Sequence, residues 1–134
     1  MKFEFALKKT FSYADYMALV ESLVSRNMTS GPNQSQKLID FTSLNLKRMQ
    51  RLNKRLTFRP DVIATLGNLN QSQRWIVISE AWCGDAAQNL PIINKMASIS
   101  DNIDLQIIER NANLDVMDAF LTNGGRSIPK LISV

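Results

Sequence analysis

The segment WIVISEAWCGDAAQNLPIINKM, residues 75–96, joins a strand pattern to a helical pattern through a short polar turn. Branched and aromatic residues occupy both faces of RWIVIS, residues 74–79, as they do in a buried central strand. After Cys83, apolar residues return at helical spacing, as Leu90, Ile93 and Met96. The segment therefore predicts a strand that runs directly into a helix, with Cys83 at the junction.

The rest of the chain predicts further helices and strands on both sides of this segment. Three helices are predicted before it, at 12–26, 34–55 and 60–66. After it we expect a strand, a helix that ends at Gly124-Gly125, and a final strand, at 103–109, 113–125 and 127–134. Strands 74–79 and 103–109 are joined by a helix and should be parallel. This alternation predicts an α/β layer fold.

Size and composition favour one compact domain of the cytoplasm. A chain of 134 residues is long enough to bury a core. No apolar run approaches the ~20 residues of a membrane helix, and the first residues lack the apolar stretch of a secretory signal. A single cysteine excludes an intramolecular disulfide and fits a reducing compartment.

The chain contains no histidine. This absence excludes catalysis by a histidine base, the Cys-His pair, the Ser-His-Asp triad and most zinc sites. The sequence accordingly predicts no metal and no cofactor.

Positive charge is concentrated in the first part of the chain. Residues 1–60 contain eleven Lys and Arg against four Asp and Glu, whereas residues 61–134 contain five against eight. Within helix 34–55 the cations cluster on one side, as Lys47, Arg48, Arg51, Lys54 and Arg55. The cluster fits the solvated side of an amphipathic helix, and it also fits a surface for nucleic acid or another anion. No aromatic residue interleaves with the charges as a stacking platform, which argues against nucleic acid.

The position of Cys83 suggests an activated thiol. A strand that turns straight into a helix at this residue places the sulfur over the unpaired N–H groups of the first helical turn. The helix dipole favours a thiolate there, so we expect a pKa below the ~8.5 of free cysteine. The carboxylate of Asp85 partly opposes this effect, because it repels a neighbouring thiolate.

Two stretches resemble the thioredoxin-like superfamily. AWCGDAAQ, residues 81–88, is similar to the motif around its reactive cysteines, and RSIPKLI, residues 126–132, is similar to its cis-proline strand. TNGGRSIPK, residues 122–130, resembles a bacterial branch that carries an N-terminal helical extension. The resemblance implies a three-layer α/β fold with a central sheet. It also implies a helical extension, residues 1–58, packed on a thioredoxin-like domain, residues 59–134.

The resemblance also implies roles for individual residues. Cys83 matches the attacking, catalytic cysteine. The substrate-binding residues would be those around it, Trp82, Gly84, Asp85, Ile128 and Pro129. In such proteins Trp82 would shield the sulfur, the backbone of Ile128 would pair with an extended peptide, and Pro129 would follow a cis bond.

The sequence departs from the family pattern inside the site. Ala86 stands where the resolving cysteine is expected, so no internal disulfide can close a catalytic cycle. Asp85 replaces the proline between the two cysteines, and Val77 replaces a carboxylate that many thioredoxins bury below them.

The sequence also departs from the pattern at its end. The family continues after the cis-proline strand with another strand and a final helix, which the sequence up to Val134 does not contain. We therefore expect these elements to be missing and strand 127–134 to have an open edge, through which two copies of the chain could associate.

Three hypotheses on function follow. The first is redox chemistry with Cys83 as the only thiol, which forms mixed disulfides with proteins or with low-molecular-weight thiols and disulfides. The second is a binding module that keeps the peptide groove without catalysis. The third is a basic adaptor that acts through helix 34–55. Arg126 could steady the thiolate or a substrate carboxylate, or it could pair with Asp85 or Glu80.

Overall fold

The computed structural model describes residues 3–134. Within them the elements are, in chain order, α1 (Tyr13–Ser25), α2 (Gln36–Arg55), α3 (Pro60–Gly67), β1 (Gln73–Ser79), α4 (Gly84–Ile99), β2 (Ile103–Glu109), α5 (Leu114–Ala119) and β3 (Lys130–Ser133). α1, α2, α3, β1 and β2 lie within two residues of their predicted bounds, and α4 begins directly after Cys83, as predicted. No helix of this part of the chain has the length and apolar character that crossing a bilayer requires.

The sheet has three strands in the order β2-β1-β3. β1 pairs with β2 in parallel, with Val77 opposite Ile107, which confirms the predicted crossover. β3 pairs with the other side of β1 and runs antiparallel, with Val77 opposite Leu131. Because β1 is central and covered on both faces, Ile76, Val77 and Ile78 are each 0% exposed.

Side chains alternate between the two faces of β1 and meet two different sets of elements. Val77 faces a core shared with α1, α2 and α4, which includes Tyr16, Val20, Met49 and Leu90. Ile76 and Ile78 face a second core, formed with residues of β2, α5 and β3, as Ile108, Val116, Met117 and Ile132. The chain therefore forms an α/β fold of three layers, with the sheet in the middle.

The segment from Phe3 to Phe11, before α1, contributes to both cores. Phe11 exchanges two backbone hydrogen bonds of 2.8 Å with Ile107 of β2. Phe3 and Phe5 pack with Phe120 over the face that α5 covers. Residues before α2 are thus built into the sheet layer and both of its faces, while the domain boundary at residue 58 stays a prediction.

The predicted end of the last helix is wrong. α5 stops at Ala119, and Thr122 and Gly125 exchange backbone hydrogen bonds of 3.0 and 2.9 Å across a tight turn. The two residues between them, Asn123 and Gly124, have φ of 51° and 79°. Positive φ at both central positions defines a type I′ turn, which Asn-Gly favours. The glycines therefore belong to a turn and do not cap a helix.

The predicted start of the last strand is also wrong. β3 begins at Lys130, three residues later than expected. Pro129 has no N–H to donate to the ladder, and the carbonyl of Ile128 faces Cys83. Pairing then continues to the end of the strand, where Val134 and Arg74 exchange hydrogen bonds of 2.9 and 2.8 Å.

The buried face of α2 differs from the stripe that its apolar residues predict, which Leu38, Phe41, Met49, Leu52 and Leu56 form and Asn45 interrupts. Thr42, Asn45 and Met49 are the buried residues of the helix, whereas Phe41 and Leu44 are 40% and 42% exposed. Asn45 is buried because its amide reaches a backbone carbonyl of the neighbouring loop, described below. A polar side chain thus fixes how α2 packs, and an aromatic ring is left at the surface.

Candidate active site

Cys83 caps the N-terminus of α4. Its backbone is extended, at φ −80° and ψ 114°, and its sulfur accepts a hydrogen bond from the amide of Ala86 at 3.4 Å. Serine, threonine and aspartate satisfy the free amides of a helix start in the same way. The predicted placement of the sulfur over the first helical turn is confirmed.

The segment around Pro129 lies against this sulfur. The thiol of Cys83 donates a hydrogen bond to the carbonyl oxygen of Ile128 at 3.5 Å, and the peptide bond between Ile128 and Pro129 is cis. The fold therefore brings together two stretches that are 45 residues apart in the chain. Because its carbonyl accepts from the thiol, Ile128 favours the protonated form of Cys83 in the resting protein.

Burial raises the pKa of the Cys83 thiol. The residue is 8% exposed, and removal of water from around the sulfur disfavours the charged form. The amides of Ala86 and Asp85 act in the opposite direction, because they stabilise a thiolate, but they do not outweigh burial. The expected pKa below that of free cysteine is therefore wrong.

An open groove of about 460 Å³ reaches Cys83 between α2 and the turn before α4. One side is formed by the turn, with Trp82, Gly84 and Asp85. The other side is formed by four residues of α2, Lys37, Leu38, Phe41 and Arg48. A Cβ atom added to Gly84 would lie 3.1 Å from Nη1 of Arg48, so a side chain there would displace the guanidinium by a few tenths of an ångström.

The turn before Cys83 is held by residues of the first two helices and the loop between them. The amide of Ala81 donates to Oγ of Ser30 at 2.8 Å, and the carbonyl of Ala81 accepts from Nδ2 of Asn45 at 3.0 Å. At the end of β1, the hydroxyls of Tyr16 and Ser79 lie 2.8 Å apart. Because all of these residues are buried, their contacts fix the position of the cysteine turn rigidly.

Arg110, which no sequence pattern singled out, is a cation whose charge acts on Cys83. Its guanidinium lies 5.1 Å from the centre of the Trp82 ring, within the range of a cation–π contact. Its charge lowers the pKa of Cys83, although less than burial raises it. Arg110 also donates to the backbone carbonyl of Arg126 at 3.3 Å.

The side chain of Arg126 points to a different partner. It forms a two-pronged ion pair with Asp118 of α5, at 2.8 and 3.0 Å. The pairing with Asp85 or Glu80 that the sequence suggested is therefore wrong. Asp118 lies in the helix directly before the turn, so this pair ties the turn back to α5.

Removal of the Arg110 charge is expected to make Cys83 less reactive. In Arg110→Met, the pKa of Cys83 rises further, and alkylation of the folded protein near pH 7 slows by roughly twofold to fivefold. Arg126→Met removes the same charge from a side chain that pairs with Asp118 and should leave the alkylation rate unchanged. Equal alkylation rates for the two variants would show that the charge of Arg110 does not affect Cys83.

A buried carboxylate lies three residues before the cysteine. Glu80 is 1% exposed and its Oε1 accepts from Nδ2 of Asn111 at 2.8 Å. Among residues 3–134, its Oε2 has no hydrogen-bond partner. Burial, and then the charge of Glu109, raise the pKa of Glu80 to about 7. Resemblance to the family places such a carboxylate at position 77, where this chain has the fully buried Val77.

Glycine at position 31 is required by the packing around Glu80. Gly31 has φ of +81°, and an added Cβ would lie 2.6 Å from Nδ2 of Asn111 and 3.0 Å from Oε1 of Glu80. Both the backbone conformation and the contact exclude a side chain there. In the described part of the chain, no three His, Cys, Asp or Glu side chains are placed to hold a metal ion.

One protein family matches most of this chain. A family model described as thioredoxin matches residues 31–134. The chain belongs to the thioredoxin family. The match includes α2, and therefore the residues of α2 that line the groove at Cys83. It also extends across the predicted boundary at residue 58.

Two solved structures share the fold of this thioredoxin-family chain. One is a protein of unknown function from Pseudomonas aeruginosa, at 19% identity and a TM-score of 0.55. The other is an HIV epitope scaffold, at 20% identity and a TM-score of 0.57. Each match covers 92% of this chain and 70% of the other chain. No curated protein matches the chain.

Proposed function

We propose that this protein carries out thiol–disulfide exchange through Cys83 as its single reacting group. The observation that carries the proposal is the place of the sulfur, which caps α4 and lines an open groove. The amide of Ala86 at 3.4 Å is positioned to stabilise the thiolate that must form during exchange. With no second cysteine in the chain, an external thiol has to complete the cycle.

The complete reaction consumes one disulfide and one low-molecular-weight thiol, and it produces a new disulfide and a new thiol. The Cys83 thiol gives its proton to solvent, and the thiolate attacks a disulfide R–S–S–R′. A bond forms between Cys83 and the sulfur of R, while R′–S⁻ leaves and takes up a proton. The thiolate of a second low-molecular-weight thiol then attacks the sulfur of R, forms a new disulfide with it and releases Cys83.

The raised pKa of Cys83 sets how this reaction depends on pH. Near neutral pH most of the thiol is protonated, because burial disfavours the thiolate. The exchange rate should therefore increase by about tenfold per pH unit as long as the thiol remains mostly protonated. A site of this kind is slow at neutral pH and gains activity in alkaline solution.

Turnover of a small disulfide tests the proposal. With a monothiol as reductant, the wild-type protein should exceed the uncatalysed exchange, and Cys83→Ser should fall to the uncatalysed rate. The serine variant keeps a side chain that can cap α4, so a comparison of unfolding temperatures shows whether the fold is retained. A wild-type rate equal to the uncatalysed rate contradicts the proposal.

A second candidate function is binding of a partner without catalysis. It is favoured by the raised pKa of Cys83 and by Ala86 in the place of a resolving cysteine. In this case the groove beside Trp82 and Phe41 would hold a partner while the thiol remains inert. The turnover assay separates the two functions, because a binding module without catalysis leaves the exchange at the uncatalysed rate for both the wild type and Cys83→Ser.

A further inference from the structure

The C-terminal half of α2, from Lys47 to Arg55, carries five cations, of which only Arg48 also lines the groove at Cys83. They line two adjoining grooves. The first lies between α2 and α4 and is lined by Arg48, Arg51, Leu52, Arg55 and Gln88. The second follows α2 itself and is lined by Lys47, Gln50, Arg51, Lys54 and Arg55. Neither groove is lined by an acidic residue.

These charges are not neutralised within the described part of the chain. Between residues 3 and 134, the salt bridges join Arg59 to Asp61 and Arg126 to Asp118, and none involves the cations that line the two grooves. Like charges three and four positions apart repel one another, as Arg51 does with Lys47 and Arg55. The helix dipole stabilises cations only within the last turn, which contains Lys54 and Arg55. The remaining repulsion would be relieved by an anionic partner.

The basic grooves are continuous with the groove at Cys83. Arg48 lines both the cysteine groove and the first basic groove. From Arg48 to Arg55 the helix advances by about 10 Å, at about 1.5 Å per residue. An extended peptide covers this length with about three residues, at about 3.3 Å each. Because Cys83 and Arg48 line the same groove, a chain that runs along α2 past Arg48 enters the groove at the cysteine.

We propose that an acidic, extended segment of a partner protein docks along α2, over Arg48, Arg51 and Arg55, and continues into the groove at Cys83. The cysteine groove offers apolar surface for one side chain of this segment, from Leu38, Phe41 and Trp82. No aromatic residue lines the two basic grooves, so they lack platforms on which nucleotide bases stack. Charge complementarity favours any anionic chain, and the missing stacking platforms together with the apolar surface at Cys83 favour an acidic peptide over a nucleic acid.

Binding of a labelled acidic peptide to Cys83→Ser protein tests this surface. The probe is a fluorescein-labelled peptide of alternating Glu and Ser, of about ten residues, which at about 3.3 Å per residue is long enough to cover the three arginines and the groove at Cys83. Fluorescence anisotropy at low salt should show binding that weakens steeply with added salt. Arg51→Glu with Arg55→Glu should raise the Kd by at least about tenfold.

Two controls make the outcome decisive. Lys8→Glu with Arg26→Glu changes the net charge equally, at exposed residues that line none of these grooves, and should raise the Kd by less than about threefold. A peptide with Gln in place of Glu should not bind. Equal losses for both double variants, or no binding of the acidic peptide, overturn the proposal.

Nucleic acid is the competing occupant. A labelled single-stranded oligonucleotide with the same number of charges should bind more weakly than the peptide. Tighter binding of the oligonucleotide, lost in Arg51→Glu with Arg55→Glu, would overturn the peptide proposal. Docking of the acidic segment does not depend on thiol exchange, because every measurement uses protein without the Cys83 thiol.

Discussion

Replacement of Ala86 by cysteine is expected to turn the single-thiol site into a dithiol site. The amide of Ala86 lies 3.4 Å from the Cys83 sulfur, and Ala86 is 1% exposed, so a thiol at this position is held next to Cys83. A mixed disulfide at Cys83 would then be resolved inside the chain. Since a well-oriented group acts as a highly concentrated one, resolution should be faster than with about 1 mM external thiol by on the order of a hundredfold.

Mass spectrometry and turnover check this expectation together. Oxidised Ala86→Cys should lose the mass of two hydrogen atoms and should no longer react with alkylating reagents. Ala97→Cys is the matched control, since Ala97 is also a buried alanine of α4 but lies about 20 Å along the helix from Cys83, at about 1.5 Å per residue. Two free thiols in oxidised Ala86→Cys would show that position 86 does not face the sulfur.

The buried Glu80 is expected to make the protein less stable as the pH rises. Its pKa is raised to about 7 in the folded protein, from 4.5 for an exposed glutamate. The folded state therefore binds the Glu80 proton more tightly than the unfolded state, and this stabilisation is complete below about pH 4.5 and lost through about pH 7. The difference in pKa corresponds to about 3 kcal/mol of unfolding free energy between about pH 4 and pH 8.

Glu80→Gln isolates this effect. Glutamine keeps an oxygen for the hydrogen bond from Asn111 and has no charge at any pH. The unfolding free energy of the variant, minus that of the wild type, should increase by about 3 kcal/mol from about pH 4 to pH 8 in denaturant titrations. The exposed Asp101→Asn variant is the control for a change of net charge. A difference that is constant with pH would contradict a protonated Glu80.

The strand–turn–helix around Cys83 was predictable because the residue types at adjacent positions determine it. The apolar run of β1 followed at once by Trp82-Cys83-Gly84 fixes a strand–turn–helix, and the sulfur has only one place in that geometry. The contact between Cys83 and the Ile128 segment was accessible through resemblance alone, since nothing local links residues so far apart. The Asn123-Gly124 pair also indicates a tight turn by its residue types, but Gly124-Gly125 was interpreted as the end of a helix.

The remaining features depend on packing between distant elements. Asn45 reads as an interruption of an apolar stripe, and only the carbonyl of Ala81 explains its burial. Arg48 reads as one of several exposed cations, whereas the structure places it against Gly84. The pKa of Cys83 depends on how much water the folded chain removes from the sulfur, which a helix start by itself does not indicate.

The most direct test of Cys83 as an exchanging thiol is the intact mass of the folded protein after exposure to an uncharged low-molecular-weight disulfide at about pH 8. We expect one adduct per chain, located on Cys83, and a return to the original mass when excess monothiol is added. An adduct that forms only after the protein is denatured would contradict the proposed chemistry.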